Sequence, residues 1–147
     1  MTPILSKKNL VGIFAIFVIL VIVFVFFVLK GQKIEVVTDS AQYADGEPLR
    51  LKIKNYLLGN ICFSSCYPYY LEKENGVGWK GYLYEDCPHP DVAEKCIGAF
   101  GTKAFETSLP ETIEGKHRVL IPVCSNCKEG LSFKETNRFY SNVFEIK

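Results

Sequence analysis

The six cysteines are the residues of this chain best suited to chemistry. Thiols in close pairs form disulfides in an oxidising compartment, or bind zinc as thiolates in a tetrahedral site. Either chemistry needs a fold that brings together pairs that are distant in the sequence. The pairs have three, eight and two intervening residues, and they are Cys62 with Cys66, Cys87 with Cys96, and Cys124 with Cys127.

Disulfides are the interpretation that we favour, because an even number of cysteines in a small domain is typical of exported proteins. All six cysteines are then disulfide-bonded. On this interpretation Cys87 and Cys96 close a short loop that contains two prolines. The cysteines near Cys62 join those near Cys124 between neighbouring strands.

Two alternatives use the same thiols. One is a zinc site made of Cys62, Cys66, Cys124 and Cys127, in which the last two have the spacing of a zinc knuckle. The other is a thiol-disulfide oxidoreductase that uses Cys124 and Cys127. Such a motif normally begins a helix, whereas here it follows the apolar, strand-like residues 120–123. We therefore predict no metal and no cofactor as the first choice.

Catalysis by histidine is not predicted. The chain has two histidines, His89 and His117, and it has no nucleophile elbow, HExxH motif or glycine-rich phosphate loop. His117 falls in a strand-like segment, where we expect a hydrogen-bonded structural residue. His89 lies between two prolines, and we expect a solvated loop residue rather than a metal ligand. We assign no catalytic residue and predict a protein that is not an enzyme.

Tyrosines form the best candidate for a binding surface, because they combine apolar area with a hydroxyl group. Alternation along strands will turn about half of them toward the core. Trp79, the single tryptophan, is expected to fill the core. The candidate binding residues are Tyr67, Tyr69, Tyr70, Tyr82 and Tyr84.

An apolar run without a charge occupies residues 10–29, and every Asp and Glu follows it. As a helix this run is about 30 Å long, enough to cross a membrane once. No small-residue cleavage site follows it, which favours a retained anchor over a signal peptide. We predict a transmembrane anchor in residues 1–32 and one extracytoplasmic domain in residues 33–147. The protein is then a single-pass protein of the cell membrane.

The rest of the chain has the alternation of β-strands. In residues 49–55, Leu49, Leu51 and Ile53 alternate with three cations. The strands predicted on such grounds are 33–38, 49–55, 61–65, 69–73, 79–84, 104–108, 116–123 and 139–146. No long helical period appears outside the apolar run. We predict a mainly β fold, an antiparallel immunoglobulin-like β-sandwich behind one N-terminal transmembrane helix.

Several motifs of the predicted domain resemble the bacterial immunoglobulin-like domains of exported and cell-surface proteins. The motifs are Gly46-Glu47-Pro48 before a strand that ends at Lys54-Asn55, Tyr70-Leu71-Glu72-Lys73 with Asn75-Gly76 and Trp79, and residues 113–120 and 141–146. The resemblance covers nearly all of residues 33–147 and implies the β-sandwich fold. In that family the strand at residues 115–120 often reads Gly-Lys-Tyr-Arg before an apolar residue. This chain departs from the pattern at His117, in its six cysteines, and in an insert at residues 85–103.

The charge of residues 31–147 is near neutral, with a net charge of −2. Such a charge gives no reason to invoke nucleic acid as a partner. We predict a membrane-anchored, extracytoplasmic interaction module that binds another envelope or surface protein without catalysis. A filament subunit is the alternative, because an apolar N-terminal helix before a β-sandwich resembles archaeal pilins and archaellins. The leader-cleavage pattern of those proteins is absent, since Gly12 follows a valine rather than a lysine.

Overall fold

The computed structural model describes residues 13, 16–23, 25, 34–44, 46–82, 86–109 and 114–147. The chain divides into two compact units, Met1–Gln32 and Lys33–Lys147. In the first unit the described residues are helical and exposed. No helix among the described residues is both long enough and apolar enough to cross a membrane. The remaining residues of the predicted anchor lie outside the described part of the chain.

The described residues of the second unit form eleven strands. In chain order they are β1 (Ile34–Thr38), β2 (Gln42–Tyr43), β3 (Leu49–Asn55), β4 (Ile61–Ser64), β5 (Tyr70–Glu74), β6 (Trp79–Gly81), β7 (Ala93–Ile97), β8 (Thr102–Thr107), β9 (Gly115–Ser125), β10 (Asn137–Tyr140) and β11 (Phe144–Ile146).

These strands form two sheets with the hydrophobic core between them. The smaller sheet has the order β1-β3-β8, and the larger has the order β2-β11-β9-β4-β7, with β10 and β5 also paired to β9 and β6 paired to β5. The core joins Leu51 and Ile53 of the smaller sheet to Val119 and Ile121 of the larger. The fold is therefore mainly β and sandwich-like, as predicted. The pairing of β2 with β11 is parallel, so the prediction of wholly antiparallel strands is wrong there.

Strand β3 confirms the alternation seen in the sequence. Leu49, Leu51 and Ile53 are buried, whereas Arg50 and Lys52 are exposed. The apolar side chains enter the core because successive side chains of a strand point to opposite faces of the sheet.

A buried asparagine closes the end of β3. The side-chain amide of Asn55 donates hydrogen bonds to the carbonyl oxygens of Gly59 at 2.8 Å, Gly98 at 2.9 Å and Ile97 at 3.3 Å. Its side-chain oxygen accepts a hydrogen bond of 3.0 Å from the amide of Leu57. Asn55 is only 1% exposed, so these contacts satisfy polar groups that water does not reach.

Strand β9 is the strand to which four others pair. Along one edge it pairs with β11 at residues 115–117 and with β10 at residues 120–123. Along the other edge it pairs with β5 at residues 117–120 and with β4 at residues 124–125. The length of β9 therefore allows two strands to follow one another on each of its edges.

A proline inside β9 fits this arrangement. The carbonyl oxygens of Val119 and Val123 accept hydrogen bonds from the amides of Ser141 and Thr136, which lie on the β10 side. The even-numbered residues of β9 therefore direct their backbone groups toward β5 and β4. Pro122 lies between the segments that pair with these two strands. Its missing N–H consequently removes no hydrogen bond from either pairing.

The strand predictions fail at three places. Strands β2 and β7 were not predicted. In β7, Lys95 has a φ of 51° and the register with β4 shifts between Ile61 and Phe63, so the alternation of side chains is lost. The predicted strand at residues 139–146 is two strands, β10 and β11. Between them the Ser141 hydroxyl oxygen accepts a 2.9 Å hydrogen bond from the Val119 amide.

Candidate interaction surface

Strand β9 is buried on both faces over residues 119–124. The odd-numbered residues Val119, Ile121 and Val123 pack in the core between the sheets. Leu120 points to the outer face of the larger sheet and is nevertheless only 6% exposed. The side chains of neighbouring strands therefore cover this outer face. We name it the aromatic surface and define it by Tyr67, Tyr70, Glu72, Trp79, Arg118 and Tyr140.

Arg118 is the centre of the aromatic surface. It lies opposite Glu72 in the pairing of β9 with β5, and its Nε donates a hydrogen bond of 2.7 Å to the Glu72 carboxylate. The Arg118 guanidinium carbon lies 4.3 Å from the centroid of the Trp79 ring and 4.0 Å from that of Tyr140. Both distances are typical of cation–π contacts. The side chains of Arg118 and Glu72 are only 23% and 15% exposed, so water screens this ion pair weakly.

Trp79 reaches Arg118 from the hairpin of β5 and β6. In the turn the Asn75 side-chain oxygen accepts hydrogen bonds from the amides of Val77 at 3.2 Å and Gly78 at 2.9 Å. Gly76 has a φ of +79°, which glycine adopts without steric cost. Trp79 is half-buried against the guanidinium and is not among the buried core residues, so the expectation that it fills the core is wrong.

Tyr67 and Tyr70 form the second part of the aromatic surface. Their rings stack with centroids 5.9 Å apart and an angle of 16° between the planes. Tyr70 lies opposite Leu120, so it covers the apolar side chain at the middle of β9. Burial raises the pKa of Tyr70 above its usual value, and the neighbouring Tyr67 hydroxyl acts in the same direction. Tyr70 is therefore held as a neutral, partly buried group.

The other candidate tyrosines lie elsewhere. Tyr69 and Tyr82 are partly buried and pack against the hydrophobic core. The Tyr69 hydroxyl is 2.6 Å from the Thr107 hydroxyl of β8, so it links the two sheets. Tyr84 lies outside the described residues. The structure thus brings Tyr67 and Tyr70 together on the aromatic surface and places Tyr69 and Tyr82 on the core side.

His117 is a buried, hydrogen-bonded residue, as its position in a strand predicts. Its Nδ1 is 2.8 Å from the carbonyl oxygen of Gly115, so this nitrogen carries the hydrogen. Its Nε2 then accepts a hydrogen bond of 2.9 Å from the Tyr82 hydroxyl. Burial lowers the pKa of His117, and the nearby Lys73 cation lowers it further, against the opposing effect of the Gly115 carbonyl. His117 is 0% exposed and its neutral form is favoured in the folded protein.

All six cysteines are disulfide-bonded, as predicted, but the pairing differs from the predicted one. Cys62 lies opposite Cys124 in the pairing of β4 with β9, but its sulfur is bonded to Cys96 of β7, the strand on the other side of β4. The bonds and their Cα–Cα distances are Cys62–Cys96 at 4.0 Å, Cys66–Cys87 at 5.5 Å and Cys124–Cys127 at 5.7 Å.

The two alternative uses of the cysteines fit the structure poorly. Cys62, Cys66, Cys124 and Cys127 do not come together as a zinc site, because Cys62 and Cys66 are bonded to cysteines outside this set. Cys124 is the second-last residue of strand β9 and is only 1% exposed, whereas an oxidoreductase motif begins a helix and presents its first sulfur.

Sequence reasoning did not identify four residues of the aromatic surface, since Trp79 was expected in the core. Arg118, Glu72 and Tyr140 were not candidates, because their strands had no assigned neighbours. One signal was present in the sequence: Arg118 is followed by the six uncharged, mostly apolar residues 119–124 of a predicted strand. A charge next to such a run indicates a side chain that has a partner on the outer face.

Comparison with known protein families and with curated proteins finds no match. Among solved structures, the alkylpurine DNA glycosylase AlkC of Pseudomonas fluorescens has a TM-score of 0.37 at 14% identity, over 81% of this chain and 33% of that chain. The CARDB domain of the PF1109 protein from Pyrococcus furiosus has a TM-score of 0.34 at 14% identity, over 78% of this chain and 85% of that chain. The β-glucosidase of Listeria innocua has a TM-score of 0.32 at 19% identity, over 78% of this chain and 16% of that chain. These likenesses are too weak to support any inference about function.

The Arg118–Glu72 pair is expected to stabilise the fold. Arg118→Ala should lower the free energy of unfolding by about 2 kcal/mol, since it leaves Glu72 without its cation and removes two ring contacts. The matched control is Arg50→Ala, because Arg50 and Glu106 also form a cross-strand pair, but with side chains 61% and 59% exposed. That control should cost less than about 1 kcal/mol. Equal losses in denaturant unfolding would contradict the central role of Arg118.

The buried His117 is expected to make stability depend on pH. Its pKa is lowered in the folded state, so below about pH 6.5 the unfolded state binds more protons and stability falls as the pH falls. The slope reaches at most about 1.4 kcal/mol per pH unit for one group. His117→Gln should remove this component between pH 7 and pH 5. Denaturant unfolding over this pH range measures the effect. Parallel plots of unfolding free energy against pH for wild type and His117→Gln would contradict the role of His117.

Proposed function

We propose that this chain is a membrane-anchored, extracytoplasmic immunoglobulin-like module that binds another envelope or surface protein through the aromatic surface. The observation that supports the proposal most is the three-part contact of Trp79, Arg118 and Tyr140 on the outer face of the larger sheet. Trp, Tyr and Arg are the residue types that contribute most to binding energy at protein interfaces. The module has no catalysis of its own in this proposal.

The aromatic surface is arranged as a rigid platform. Glu72 holds the Arg118 guanidinium, and the guanidinium in turn lies against both rings. Tyr140 is 46% exposed, so part of its ring is free for a partner. Side chains that are already ordered lose less conformational entropy on binding, which favours affinity. The pairing of Arg118 with Glu72 also leaves little net charge, so we expect apolar and aromatic contacts to dominate.

The sequence and the disulfides together support the proposed location of the module. The apolar run at residues 10–29 supports a membrane anchor in residues 1–32. Three disulfides in one small domain support an oxidising compartment outside the cytoplasm. The bound partner is then a protein of the same envelope or cell surface.

Site-specific crosslinking in native membranes tests the proposal. A photoreactive p-benzoylphenylalanine replaces Tyr140 in the full-length chain, and a matched variant carries it at Lys52. Lys52 is exposed on the outer face of the smaller sheet, away from the aromatic surface. We expect a discrete crosslinked product with another protein from position 140 and none from position 52. Adding Trp79→Ala to the position 140 variant should reduce the yield.

Three outcomes would contradict the proposal. No product from position 140, or the same products from both positions, would remove the aromatic surface as the binding site. Products at multiples of this chain's own mass would favour the filament subunit instead.

A further inference from the structure

One disulfide differs from the others in what surrounds it. The Nδ1 atom of His89 lies 3.8 Å from Cys66 Sγ and 3.7 Å from Cys87 Sγ. All three atoms lie within 4.8 Å of one another, and among the described residues they are the one group of this kind with metal-binding side chains. A cavity of about 400 Å³ opens beside them, lined by Ser65 and Asp86 as well. The group is therefore accessible from solvent.

Besides the covalent S–S bond, backbone hydrogen bonds hold the two cysteines in place. The amide of Cys66 donates to the Ser64 hydroxyl oxygen at 3.1 Å and to the Asp91 carboxylate at 3.3 Å. The amide of Cys87 donates to the Tyr67 hydroxyl oxygen at 2.9 Å. These contacts do not involve the sulfur atoms. The backbone positions of both cysteines are thus supported whether or not the disulfide is present.

The remaining disulfides are less accessible. Cys62 is 0% exposed and Cys124 is 1% exposed, so each of those bonds has one sulfur-bearing residue in the interior. Cys66 and Cys87 are both partly exposed. Because a reductant must reach a sulfur atom along the S–S axis, the Cys66–Cys87 bond is the one that we expect to be reduced first.

We propose that Cys66, Cys87 and His89 form a zinc site that is available only when the Cys66–Cys87 disulfide is reduced. A dithiol reductant supplies two electrons and two protons, its own sulfurs form a disulfide, and Cys66 and Cys87 become thiols. Zinc then displaces the two thiol protons and binds both thiolates together with Nδ1 of the neutral imidazole. The fourth position of the tetrahedral ion faces the cavity and holds water. A disulfide oxidant of the reverse exchange accepts the two electrons and, with two protons from water, becomes a dithiol, while the Cys66–Cys87 bond forms again and the zinc ion is released.

The distances fit this coordination. Zn–S bonds of about 2.3 Å and Zn–N bonds of about 2.0–2.1 Å place a sulfur and a nitrogen on one tetrahedral ion about 3.5 Å apart. The two observed sulfur–nitrogen distances are 3.8 and 3.7 Å. Two sulfurs on the same ion are roughly 3.8 Å apart, which two cysteines reach by side-chain rotation once the S–S bond is broken. Two thiolates, one imidazole and one open position are a known zinc-binding set.

Cobalt(II) tests the proposal directly, because it reports thiolate coordination in its absorption spectrum. Full-length protein in detergent micelles is treated with a phosphine reductant until alkylation mapping shows Cys66 and Cys87 free and the other four cysteines still bonded. We expect one equivalent of Co²⁺ to bind, with tetrahedral ligand-field bands and thiolate-to-metal charge transfer, and Zn²⁺ to displace it. The oxidised protein should show neither band.

Two variants identify the ligands. His89→Ala should weaken Co²⁺ binding by more than the roughly 10–100-fold typical of losing an outer-shell partner. Its oxidised form should keep the wild-type unfolding midpoint, because His89 is exposed. The double variant Cys66→Ser, Cys87→Ser should show no charge-transfer band under the same reductant.

Four results would overturn the proposal. They are reduction of a buried disulfide before Cys66–Cys87, no spectrum after selective reduction, an unchanged spectrum in His89→Ala, and a spectrum that persists in the double serine variant.

Discussion

Burial of β9 on both faces is the constraint on which the rest of the structure depends. Six consecutive residues, 119–124, are removed from water, and this requires cover from the smaller sheet on one side and from side chains of the larger sheet on the other. The smaller sheet covers the inner face, and side chains from strands of the larger sheet cover the outer face. The inner face becomes the core, and the outer face becomes the aromatic surface. The residues proposed to bind a partner are therefore the same residues that complete the fold.

This double role explains how the polar residues near β9 are arranged. His117 points inward and has hydrogen bonds to Gly115 and Tyr82, so no bonding position of its ring is left without a partner in the core. Arg118 points outward and has Glu72 and two rings around it. Strand β9 thus carries the neutral, buried His117 ring and the ion-paired Arg118 side chain at successive positions. The Cys66–Cys87 bond lies beyond this region, held by Tyr67 and Asp91 at an open cavity.

The sequence was informative where side-chain period alone decides the structure. The alternation in residues 49–55 identified β3, and the six thiols identified a disulfide-bonded domain. The sequence was not informative where contacts between distant residues decide the structure. Lys95 breaks the period of β7, Cys62 has a cysteine on each neighbouring strand and is bonded to the one on β7, and the contact with Arg118 places Trp79 outside the core. Each depends on residues that are distant in the sequence and meet only after folding.

Native-state hydrogen exchange tests the central role of β9 most directly. If burial on both faces makes β9 the last element to open, its amides will exchange only through global unfolding and will have the highest protection in the protein. The amides of β3, which lies in the smaller sheet with one face toward the core, will have equal or lower protection. Exchange of β9 through a local opening, while β3 remains protected, would contradict this account.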